Sequence, residues 1–186
     1  MSGTLVAHGR ATRRHVLHLL AAATACGTVL PGPARAAARP ERALEFLNIH
    51  TGERLRTVYW QNGRYLLEGL NEIDWVLRDF RTGEVKAIDT RLLDLLHALN
   101  ATLDTGEPLH VISGYRSPET NAMLAARSSG VAKNSYHIKG MAIDIRLPGC
   151  SLSAVRDCGM QLERGGVGYY PRSGFVHLDT GPVRHW

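Results

Sequence analysis

The chain has 186 residues, 44% of them hydrophobic and 21% charged, which suits one globular domain that buries its own core and leaves no need for a second. Its formal charge of +5 resides largely in Arg10, Arg13, Arg14 and Arg35, in a stretch of 36 residues without Asp or Glu; removing those four from the 22 Lys and Arg leaves 18 against 17 Asp and Glu. The basic balance therefore belongs to the leading segment, and a nucleic-acid partner loses its main support.

Residues 1–38 read as an export signal. A basic region precedes the apolar stretch 16–30, Pro31-Gly32-Pro33 breaks it, and Ala34-Arg35-Ala36 or Ala36-Ala37-Ala38 supplies small-residue cleavage sites. The apolar stretch is too short and interrupted for a stable membrane span. Thr12-Arg13-Arg14-His15-Val16-Leu17 resembles a twin-arginine signal, with Val16 where Phe is usual, so general secretion stays open as the alternative. Cys26 lacks the upstream Leu of a lipoprotein signal and reads as a small residue of the discarded segment. Export leaves Cys150 and Cys158 in a compartment that permits disulfides, and the expectation is that they pair.

Residues 39–42 form a linker, and the domain spans 43–186. Alternating apolar residues at 44–49 and 55–60, separated by His50-Thr51-Gly52-Glu53, predict a hairpin, followed by an Asn62-Gly63 turn. A helix is expected over 68–79. A stronger one starts at the Asp89-Thr90 cap, because Leu92, Leu93, Leu95, Leu96, Leu99 and Leu103 recur at helical spacing. His97 and His110 lie in or beside this packing region without ligand-like neighbours and read as structural. Strand 109–113, helix 118–127, a polar loop over 128–139, strand 141–146, helix 153–164 and strands 167–170 and 175–179 follow. The fold class is α+β, with helices packed on a central antiparallel sheet.

The chemistry gathers in three segments. Ser113-Gly114-Tyr115-Arg116-Ser117 carries an arginine, Ser135 to Asp144 carries a histidine and a carboxylate around Gly140, and Phe175-Val176-His177-Leu178-Asp179 carries another histidine and carboxylate. Gly140 permits a turn that folds His137 back toward Asp144, which alternates with Ile143 and Ile145 and so points away from them. Phe175, His177 and Asp179 share the other face of a strand from Val176 and Leu178. Two histidines and a carboxylate can close three corners of a zinc tetrahedron and leave the fourth for water, while an arginine can hold an oxyanion. Taken singly, a loop His and a strand-end Asp are often only hydrogen-bonded to each other; the three segments together argue against that simpler account.

These motifs, Ser-Gly-Tyr-Arg-Ser, Ser-x-His-x-x-Gly-x-Ala-x-Asp and Gly-Phe-Val-His-x-Asp before Trp186, resemble the exported murein endopeptidase K-like (YcbK-like) zinc peptidases. That family falls in the wider group of D-alanyl-D-alanine carboxypeptidases, D-Ala-D-Ala dipeptidases and the hedgehog domain. The resemblance covers the domain from about Ala43 to Trp186. It implies one zinc per chain on His137, Asp144 and His177, with Arg116 stabilising the oxyanion and Ser135 near the substrate. The implied substrate is a peptidoglycan stem peptide, cut at D-Ala to meso-diaminopimelate or at diaminopimelate to diaminopimelate. The near-neutral charge left without the leading segment leads to the expectation of no nucleic-acid partner, and the short apolar stretch to that of no membrane span after signal removal.

The chain departs from the wider group at the general base. Gly174 stands where dipeptidase relatives have an acid, and Phe175 where others have His. Asp179 is the remaining acid of the motif, expected either to take the proton from water or to orient His177. Trp186 is within reach of the cleft, whereas His185 reads as a polar end. A carboxypeptidase or dipeptidase trimming free D-Ala ends, and a non-catalytic zinc module binding the wall, stand as alternatives.

Overall fold

The computed structural model describes residues 41–128 and 130–186; the expected export signal and its cleavage sites lie outside the described residues. Strand β1 (Glu41–Asn48) begins inside the stretch expected to be linker and turns into β2 (Arg54–Gln61) by the predicted hairpin. A two-residue β3 (Arg64–Tyr65) follows the Asn62-Gly63 turn. Helix α1 (Leu67–Val76) ends three residues before the expected limit, and α2 (Thr90–Leu103) starts where Asp89 accepts a hydrogen bond from the Arg91 amide. Next come β4 (Leu109–Ser113), α3 (Pro118–Arg127), a 3-10 turn (Tyr136–Lys139), β5 (Ala142–Arg146) and α4 (Leu152–Gln161). The strands β6 (Gly166–Tyr170), β7 (Phe175–Asp179) and β8 (Arg184–His185) complete the domain.

The eight described strands form one sheet in the order β3-β2-β1-β4-β5-β7-β6-β8. The α+β class holds, but the sheet is mixed, because β1 runs parallel to β4 and β8 parallel to β6. The parallel β1–β4 pairing follows from the connection through α1 and α2, a crossover long enough to return the chain in the same direction. Leucines 92, 93, 95, 96 and 99 of α2 are all buried in a core shared with Phe46 and Leu44 of β1, Leu109 of β4 and Ile143 and Ile145 of β5. Each such side chain contributes roughly 1.5–3 kcal/mol relative to exposure. This core fixes the sheet centre, and the site stands on it.

Cys150 and Cys158 are free thiols, a correction to the expected bridge. Cys158 faces the core from α4 and is buried there. His97 and His110 are half-buried and sit apart from the site described below, as structural residues do.

Candidate metal centre

The centre is assembled on adjacent central strands. Register pairs Asp144 of β5 directly with His177 of β7 on one side and with Ser113 of β4 on the other. His137 arrives on the 3-10 turn, whose N-terminal end is capped by Ser135: its hydroxyl oxygen accepts from the His137 N–H at 3.3 Å. Gly140 ends that turn at φ 68°, a conformation that costs glycine little, and a Cβ there would sit 2.5 Å from the Ala87 carbonyl oxygen. The loop can therefore press against the segment before α2 and bring His137 over Asp144.

His137 Nε2 lies 3.2 Å from Asp144 Oδ1 and 3.2 Å from His177 Nδ1, and His177 Nδ1 lies 2.8 Å from Asp144 Oδ1. The outer nitrogens are committed elsewhere. His137 Nδ1–H donates to the Gly114 carbonyl at 2.7 Å, and His177 Nε2–H donates to Asp179 Oδ2 at 3.0 Å. With the protons on those nitrogens, the inner three atoms are all acceptors, and three acceptors in contact need a positive charge between them. A proton on His177 satisfies part of the set; a metal ion satisfies all three. One ligand atom from each residue lies within 4.8 Å of the others, so the donor set fits a metal ion.

The electrostatics suit ligand duty at His137 and Asp144, and favour a proton at His177 that a metal ion would have to displace. Burial pushes the His137 pKa below its ordinary value, which favours the neutral, ligating form. Burial raises Asp144, but the charges and hydrogen bonds of His137, His177 and Arg116 outweigh it and hold the carboxyl well below the usual range. For His177, burial is outweighed by Asp144 and Asp179, and its pKa is raised.

Arg116 braces the same carboxylate. Its Nη2 donates to Asp144 Oδ2 and its Nε donates to Ser113 Oγ at 2.7 Å. The guanidinium is mostly buried, yet it borders a cleft of about 460 Å³ together with Ser135, His137, Asp144 and His177. Trp186 and Arg184 of the β8 end border it too. His185 is exposed and away from it.

Asp179 does not border the cleft. Its side chain is 0% exposed, and its oxygens accept from the Gly166 and Gly181 amides at 3.2 and 2.8 Å and from both terminal nitrogens of Arg184 at 3.1 and 2.7 Å. With His177 added, its lone pairs are in use. Burial would raise its pKa, but His177, Arg184 and the Gly181 amide hold it well below the carboxylate range. Such a group is a weak proton acceptor, and one closed off from the cleft.

The sequence reading did not find Arg184, Tyr136 or Tyr170, although all three line the cleft. Arg184 falls outside every recognised motif; only the return of the chain through 180–183 brings it to Asp179.

A family model described as peptidoglycan L,D-endopeptidase MepK matches residues 36–186. The chain belongs to the MepK family. Peptidoglycan L,D-endopeptidase MepK of Escherichia coli (strain K12) is 46% identical over 179 residues, covering 95% of this chain and 97% of the relative. The probable peptidoglycan L,D-endopeptidase MepK of Haemophilus influenzae is 46% identical over 146 residues, or 78% of each chain. The chain is thus a peptidase of the MepK family, and the acceptor cluster of His137, Asp144 and His177 is its candidate metal site.

Proposed function

We propose that the chain is an exported, zinc-dependent peptidoglycan endopeptidase that cuts the diaminopimelate–diaminopimelate cross-link. The observation that carries the metal is the trio of acceptors at 2.8 to 3.2 Å with both outer histidine nitrogens already engaged. Zinc suits two imidazoles and one carboxylate with a position left open, and when bound it supplies Lewis acidity and lowers the pKa of coordinated water to ~7. The choice of bond rests on the relatives, whose names specify an L,D bond. The diaminopimelate–diaminopimelate link runs from an L centre to a D centre, whereas D-Ala–diaminopimelate joins two D centres.

The chain's own residues would divide the work as follows. His137, Asp144 and His177 hold the metal. Arg116 keeps Asp144 in place with Nη2 and Nε anchored, and Nη1, which has no protein acceptor among the described residues, donates to the scissile carbonyl oxygen as it gains charge. The Ser135 oxygen accepts from a backbone amide, so its O–H is left to donate to the bound stem peptide. Asp179 orients His177 rather than taking a proton from water, since it is sealed from the cleft and its oxygens are occupied.

Residues 1–38 would carry the chain to the periplasm by a twin-arginine-like or general secretory route, after which the domain that begins with β1 would act there. Among the described residues no helix is long and apolar enough to cross a membrane.

The test is a pair of purified muropeptide dimers, one linked diaminopimelate to diaminopimelate and one D-Ala to diaminopimelate. The first is expected to be cut to monomers and the second left intact, read by mass spectrometry. Preferential cleavage of the second, or trimming of monomers alone, would replace this reading with a D,D-endopeptidase or a carboxypeptidase.

A further inference from the structure

We propose that Arg184 is a positioning residue for the metal centre, acting through Asp179 to fix the ring of His177. The proposal rests on His177 being a metal ligand, as argued above. Arg184 sits in the two-residue β8, paired in parallel register with Gly166 of β6, and its guanidinium grips both oxygens of the buried Asp179. A forked donor against a carboxylate sets the plane of that carboxylate as well as its place. With the plane set, Oδ2 faces His177 Nε2 at 3.0 Å, and Nδ1 is turned to Asp144 and His137.

The fork is itself held. Its guanidinium lies 5.2 Å from the centre of the Tyr136 ring and 5.0 Å from that of Trp186, and Nη1 also donates to the Pro182 carbonyl at 3.0 Å. Gly166 makes the room: a Cβ there would fall 2.5 Å from Asp179 Oδ2 and 2.6 Å from Arg184 Nη1. An arginine placed only to cover surface would need neither a buried carboxylate as partner nor a glycine beneath it. At 39% exposure it also borders the cleft, so one side chain joins the cleft wall to the carboxylate behind His177.

Zinc affinity of the purified full chain, measured by competition with a chromogenic chelator, tests this independently of turnover. Arg184→Ala is expected to bind zinc ~10-fold more weakly, at the lower end of what losing a supporting partner of a ligating histidine costs. Arg184→Lys should recover part of the loss, because a point charge reaches one oxygen where the fork reaches two. In an Asp179→Asn background the same Arg184→Ala change should matter by less than about twofold, since the route to His177 is already cut.

Wild-type affinity in Arg184→Ala, or an equal loss in both backgrounds, would overturn the proposal. If Arg184→Ala does not fold, Arg184→Lys decides, and wild-type affinity there overturns it equally. Full zinc retention in His177→Ala would instead overturn the metal-centre reading, a separate result obtained with a separate protein.

Discussion

Replacing His177 or His137 with Ala is expected to reduce bound zinc from about one per chain to near zero and to remove cleavage of cross-linked muropeptides with it. Either change deletes one of only three protein ligand atoms, and the loss of affinity should far exceed the ~10- to 100-fold that a supporting residue costs. The fold should survive. In His177→Ala, Asp144 keeps Arg116 and His137 as partners, and Asp179 keeps Arg184, so neither buried carboxylate is left without a cation. Elemental analysis alongside a thermal melt checks both halves: a folded mutant with full zinc would remove that histidine from the centre.

Arg116→Ala is expected to lower turnover by ~10²-fold or more at saturating zinc, by analogy with loss of an oxyanion donor. The contact between Arg116 and Asp144 adds a second effect, because the ligand carboxylate loses its brace and zinc affinity falls by ~10-fold. Titrating zinc separates the two: the affinity defect is relieved by excess metal, and the turnover defect persists. Arg116→Lys should restore more of the first than of the second, since an ammonium can pair with Asp144 but cannot hold Ser113, Asp144 and a substrate oxygen with fixed donors. Complete recovery of Arg116→Ala at high zinc would confine Arg116 to bracing the ligand.

Much of this arrangement was legible before the structure, for reasons that differ between residues. Asp144 and His177 stand out because each is a polar residue inside an apolar alternating strand, and alternation states which face it occupies. The leucines of α2 announce a buried helix by spacing alone. What escaped the sequence depends on encounters between distant segments. The parallel pairing of β1 with β4 joins residues such as Phe46 and Leu109, and no local pattern encodes it. Strands β3 and β8 are two residues long, too short to show alternation. Arg184 is an unremarkable arginine until the chain turns back beside β6.

Asp179 illustrates the same limit from the other side. Strand alternation placed it on the face of His177, which is where it lies, but could not separate a base from an orienter. That distinction depends on burial and on four donors, two of them main-chain amides and two from Arg184. Cys150 and Cys158 make the complementary point, since an even count of cysteines permits a bridge without requiring one, and both are free thiols.

The metal dependence of the cut is read by following cleavage of the purified diaminopimelate–diaminopimelate dimer with one preparation of the full chain in three states: as purified, stripped by chelation, and with zinc returned. Monomers are expected from the first and third and an unchanged dimer from the second. Undiminished cleavage by protein that elemental analysis finds free of metal would rule out a metal-dependent peptidase.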